Sequence, residues 1–159
     1  MNSLLSAQYN EIKGARGALF SYCRSLNNAD LFKGVADFND KTIISLLVHN
    51  ANTYIHWLAQ LDKSADIEFV KTADITSMDA IEKTYQLVDT IVNDFLIRYS
   101  ADYTLPFTQN LPRKEYVVTV TPLQLFTHGI THEFHHKGQI LTMSRLLGYT
   151  PVDTDVIRT

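Results

Sequence analysis

Two histidines four residues apart, His132 and His136, form the most chemically informative pair in this sequence. On an α-helix that spacing sends both imidazoles from one face of successive turns, so they can share one metal ion. Around them, His128, His132, His135, His136 and Gln139 fall within about 100° of one another on a helical wheel. Leu125, Met143, Leu146 and Leu147 continue that sector one or two turns away, which aligns the imidazoles with a core-facing stripe. Buried ring nitrogens are costly unless satisfied, and a metal satisfies them directly. Two ligands bind weakly, so a third is expected from another helix, where His49 and His56 are seven residues apart on one side. His49 lies at the edge of its apolar stripe, which suits a ligand at the rim of a cleft and equally a solvent-facing side chain. His128 and His135 read as surrounding or structural groups. A single cysteine, Cys23, excludes an intramolecular disulfide and any cysteine-rich metal site, so the donors must be nitrogen and oxygen.

The run His132-Glu133-Phe134-His135-His136 also matches H-E-x-x-H, the zinc metalloprotease helix in which the glutamate is general base. The extended form fails, because Gln139 and Thr142 occupy the places of its glycine and third histidine. Asp153 or Asp155 would have to supply a late ligand, and only 23 residues follow His136. A protease is therefore the remote reading, while Glu133 and His135 stand as candidate catalytic bases.

Four helices are expected to position these groups. The first begins near Ser3, with Leu5, Tyr9, Ile12, Leu19, Cys23 and Leu26 in phase. A second starts at an Asn39-Asp40 cap and carries Ile43, Leu47, Ala51, Tyr54, Leu58 and Leu61. A third starts near Ser77 with Ile81, Tyr85, Val88, Phe95 and Tyr99. Between Ala101 and Val120 the period becomes two, which predicts a loose hairpin closing around Asn110-Leu111-Pro112. Thr121-Pro122-Leu123-Gln124 then opens the last helix as a capping box with proline at the first turn, and Gly148 and Pro151 close it. The fold class expected is all-α, an antiparallel four-helix bundle with a hairpin-like insertion before the last helix, as one domain over residues 1–159.

Composition narrows the partners. With 159 residues, 45% apolar, 19% charged and a net charge of -3, the chain has an ordinary globular balance and no basic footprint for nucleic acid. Apolar runs are too short to span a bilayer, and the opening residues lack the pattern of a signal peptide, so a cytoplasmic protein is expected. The last helix has a second apolar sector, formed by Leu123, Phe126, Ile130, Phe134 and Leu141. Either the hairpin and tail cover it, or a twofold copy of the chain does.

The stretch HGITHEFHHKGQILTMSRLLGYTPVD resembles the last helix of the DinB-like family, also called the YfiT-like metalloenzymes. The family's histidines at four-residue steps fall on His128, His132 and His136, followed by Lys137, Gly138 and Gln139, and its ending falls on Arg145, Gly148 and Pro151. TIISLLVHNANTYIHWL resembles the second helix, with its histidine at His49 and its tryptophan at Trp57. SAQYNEIKGARGAL is similar more loosely to the first. Lys137 departs from a commoner arginine, and Asn52 and Thr53 stand where an acidic residue is frequent. The resemblance implies a four-helix bundle, commonly dimeric, with His49, His132 and His136 as ligands of a divalent ion. It also implies a metal-dependent enzyme on a small molecule, a thiol-dependent S-transferase or a hydrolase, with a low-molecular-weight thiol as a possible partner. The alternative is a metal-binding or stress-response protein without turnover. Three nitrogens suit zinc, nickel or iron, and copper by affinity order.

Overall fold

The computed structural model describes residues 4–63, 65–112 and 115–158 and is mostly helical, with one two-stranded ribbon. Helix α1 spans Leu4–Ser25, and the Ser3 start expected for it lies outside the described residues. A one-turn helix α2, Asn28–Leu31, follows. Helix α3 spans Ile43–Tyr54 and continues as a π-helical segment, Ile55–Gln60. Helix α4 spans Met78–Arg98, strands β1 and β2 span Phe107–Asn110 and Val117–Val120, and helix α5 spans Pro122–Leu146.

The start of α3 differs from expectation. Asn39 and Asp40 are left-handed, with φ of 54° and 56°, and form the turn before the helix rather than its cap. Thr42 is the cap: its hydroxyl accepts from the Ser45 amide, and the Ser45 hydroxyl accepts from the Thr42 amide. Ser77 caps α4, and Thr121 with Gln124 forms the expected capping box on α5. After α5, Gly148 takes φ of 96°, and the amides of Gly148 and Tyr149 donate to the carbonyls of Arg145 and Ser144. That pair of bonds satisfies the last carbonyls and stops the helix. The ribbon is antiparallel, pairing Phe107 with Val120 and Asn110 with Val117, so the alternation seen from Tyr103 becomes strand only from Phe107.

The four long helices share one apolar core that includes Ile44, Leu47, Leu58, Ile81, Val92, Phe95, Phe126 and Met143. Their directions follow from which residues meet. Arg16 reaches Asp89 while Arg24 reaches Glu82 and Asp79, so α1 and α4 run in opposite senses. His49 meets His136 while Trp57 meets His128, so α3 and α5 are also opposed. By contrast, Tyr9 meets Phe126 and Tyr22 meets Ser144, and Asn50 meets Tyr85 while Asp62 meets Arg98. The pairs α1/α5 and α3/α4 therefore run the same way, a correction to the uniformly antiparallel arrangement. A parallel α3/α4 pair requires a returning connection, and the segment between them supplies it. Asn52 pins that segment by donating to the Val70 carbonyl and accepting from the Val70 amide, both at 2.8 Å.

The second apolar sector of α5 is mostly covered by the chain itself. Phe126 is fully buried against Tyr9 and Ile130 is 7% exposed. Phe134 and Leu141 are half-buried, with the Lys137 ammonium 4.1 Å from the Phe134 ring centre. The same ammonium donates to the Thr154 carbonyl at 2.6 Å, which ties the tail to α5. Only Leu123 stays open, so this sector supplies no argument for a twofold copy.

Candidate metal centre

Because α3 and α5 lie against each other in opposite senses, His49 meets the two turns that carry His132 and His136. Ring centres are 5.2 Å apart for His49 and His132, 4.8 Å for His49 and His136, and 4.4 Å for His132 and His136. One donor nitrogen from each lies within 4.8 Å of the others, close enough for modest rotation to bring them onto one ion. His136 is buried, His132 half-buried and His49 open at the rim, so the point of convergence faces solvent on one side.

The nitrogens turned away from that point are held by amides. His136 Nδ1 is 2.7 Å from Gln139 Oε1, an acceptor, which fixes the Nδ1–H tautomer and leaves Nε2 with its lone pair. That Nε2 is buried without a hydrogen-bond partner, the orphan that a metal would satisfy. His132 Nδ1 lies 3.4 Å from Asn50 Oδ1. Asn50 is oriented in turn, because its Nδ2 donates to the Tyr85 hydroxyl at 2.9 Å and that hydroxyl donates to the Leu47 carbonyl at 3.1 Å. Sequence reading missed Asn50, although an amide inside the apolar run of α3 demands a partner.

The electrostatics favour uncharged rings. Desolvation pulls His132 down to about 4, and the neighbouring His136 and His49 act in the same direction. Desolvation lowers His49 as well, with Lys41 adding to it. In His136 desolvation again lowers the pKa, partly opposed by the bond to Gln139. Neutral imidazole is the form that coordinates metal, so the donor set fits a divalent ion near pH 7.

The other candidates separate. Glu133 is 6% exposed, and Arg16 donates to its Oε1 at 2.6 Å and its Oε2 at 3.0 Å. The Tyr54 hydroxyl adds a bond to Oε2 at 2.6 Å. Both oxygens are thus taken up by a buried clasp that also joins Arg16 to Asp89 at 2.7 Å, which leaves the metalloprotease motif without its base. His135 is exposed, its ring centre 5.0 Å from His136. His56 stands apart from the triad, its ring 4.8 Å from Trp57 and 6.0 Å from Phe69. His128 lies 5.5 Å from His132 and packs edge-on to Trp57 at 5.2 Å. Cys23 is buried, which pushes its thiol up to about 12 and leaves it inert.

His49 and His132 also form part of the wall of a 460 Å³ cavity, completed by Trp57, Phe69, Pro112, His56, His128, Asn52 and Thr53. The π-helical turn Ile55–Gln60 carries His56 and Trp57 into it. Such turns are rare and concentrate at functional sites.

A mostly helical chain in which three histidines from two helices can hold a metal ion defines the class. The chain belongs to the DinB family, whose model matches residues 1–159. It is also 26% identical over 142 residues to the uncharacterized protein YizA of Bacillus subtilis (strain 168), covering 89% of this chain and 87% of that one. No helix among the described residues is long and apolar enough to cross a membrane.

Proposed function

We propose that this chain is a metal-dependent enzyme acting on a small molecule, a thiol S-transferase or a hydrolase, on a four-helix bundle with one divalent ion. One observation carries the reading: three donor nitrogens lie within 4.8 Å of one another, and two of those imidazoles, His49 and His132, line a 460 Å³ cavity. A closed structural site would surround its ion with four protein ligands, whereas three leave a position for a reactant. His49, His132 and His136 hold the ion, which zinc, nickel or iron can supply. When bound, it contributes Lewis acidity that lowers the pKa of a coordinated thiol or water toward neutrality.

The remaining work belongs to the chain. Asn50 and Gln139 orient the two α5 imidazoles through neutral amide oxygens, so the site keeps the full positive charge of its ion. Glu133 is withdrawn onto Arg16, and no carboxylate dilutes that charge among the described residues of the triad. His135, at the exposed edge, is the base that accepts the reactant's proton. A low-molecular-weight thiol is the expected partner, and a homodimer the expected assembly.

The test is a screen of metal-loaded protein against small thiols paired with electrophiles, and against hydrolysable esters and amides. Turnover that disappears in His132→Ala supports the reading. Stoichiometric metal with no turnover in either screen would make the chain a metal-binding protein instead.

A further inference from the structure

We infer that the cavity beside the three histidines binds an uncharged, flat aromatic molecule, with its ring held in the corner formed by Trp57 and Phe69. The inference rests on the metal-centre reading only for what the bound molecule would meet there. His56 bridges the two aromatic walls, its ring 4.8 Å from Trp57 and 6.0 Å from Phe69, and His128 meets Trp57 edge-on at 5.2 Å. Rings set edge-to-face in this way offer a further ring either a face or an edge to pack on. Pro112 adds a flat apolar surface.

Charge selects further. Among the described residues, no lysine, arginine, aspartate or glutamate lines the cavity. Apart from the histidine rings, the polar side chains that do are already engaged: Asn52 bonds Val70 through both its amide nitrogen and its oxygen, and the Thr53 hydroxyl donates to the His49 carbonyl at 3.0 Å. In metal-free protein a formal charge brought into this space would lose water and meet no oppositely charged side chain among the described residues. A volume of 460 Å³ suits a small-molecule ligand. Since His49 and His132 belong to both the cavity wall and the triad, the bound ring lies beside the proposed ion.

Trp57 is the chain's single tryptophan, so its fluorescence reports the cavity directly. Nitrobenzene, 4-nitrobenzoate and (4-nitrophenyl)trimethylammonium are titrated into metal-free protein, and nitrobenzene also into zinc-loaded protein, where a carboxylate would coordinate the open position of the ion. Nitrobenzene is expected to quench saturably and to bind at least about tenfold more tightly than either ion, since tenfold is the scale of a modest desolvation difference. Phe69→Ala should weaken it by a similar factor. His128→Glu, at an exposed position, should shift the preference toward the cation. Linear, unsaturable quenching by nitrobenzene, equal or tighter binding of an ion to the native protein, or an unchanged order in His128→Glu would overturn the inference. Saturable binding in a protein that takes up no zinc would uphold the cavity assignment while removing the metal reading. Stoichiometric zinc without saturable quenching would do the reverse.

Discussion

At the scale of single residues, the four-residue step from His132 to His136 was legible because helical geometry brings such side chains together, whereas His49 was preferred to His56 through the family resemblance. What spacing did not reveal was which nitrogen each ring presents. That is set by Gln139, three residues along α5, and by Asn50, on another helix and itself held by Tyr85. Loss of the amide should therefore cost metal affinity without touching a ligand. Asn50→Ala is expected to weaken zinc binding about 10–100-fold, the usual range for removing a group that orients a ligand, while His56→Ala leaves it nearly unchanged. Competition with a chromophoric chelator measures both, and a large loss on changing His56 alone would move the site. The lowered histidines also predict a pH response in metal-free protein. Folded His132 takes its proton near pH 4, whereas an unfolded imidazole does so near about 6.5. Between those values the unfolded chain binds more protons, so stability present above pH 6.5 drains away as the pH falls toward 4. The Tm of metal-free protein should drop between pH 7 and 5, and less steeply in His132→Leu; identical slopes would contradict the assignment.

At the scale of elements, local signals were read well and long-range ones poorly. Thr121, Pro122 and Gln124 announced the start of α5 because a capping box is a contact within four residues. The cap of α3 lies at Thr42, just past the expected Asn39-Asp40, since those are good cap residues that here occupy left-handed turn positions. The π-helical turn has no periodic signature at all, because an apolar stripe continues through it. Glu133 was misread for a related reason. A five-residue motif fixes neighbours along the helix, not the partner that waits across the core, and that partner, Arg16, lies 117 residues away in sequence. Arg16 contacts Glu133, Asp89 and Tyr9, so the clasp joins α1, α4 and α5, and Tyr54 adds α3. Glu133→Ala would strand a buried guanidinium and should cost about 3–5 kcal/mol in chemical denaturation. Zinc stoichiometry in the folded fraction should survive. Lost stoichiometry at unchanged stability would return Glu133 to the metal site.

For the whole molecule, residue spacing pointed to a mostly helical chain, no helix among the described residues is long and apolar enough to cross a membrane, and the resemblance to the DinB family holds over residues 1–159. Helix direction was not legible. Nothing in the segment between α3 and α4 says that it returns along the helix rather than turning tightly, until Asn52 is seen holding Val70. The second apolar face of α5 was likewise ambiguous, because a wheel shows that a stripe must be covered but not by what. The homodimer expectation therefore rests on the family resemblance, and sedimentation at micromolar concentration tests it: twice the 18.1 kDa chain mass supports it and a clean monomer removes it. The central claim is the shared ion, and the most direct measurement is elemental analysis of untagged protein purified without chelator or metal-affinity resin. The account predicts close to one equivalent of a divalent transition metal per chain, absent from the folded His132→Ala/His136→Ala variant. Native protein that carries no metal and takes none up, or a double variant that retains its full equivalent, would contradict it.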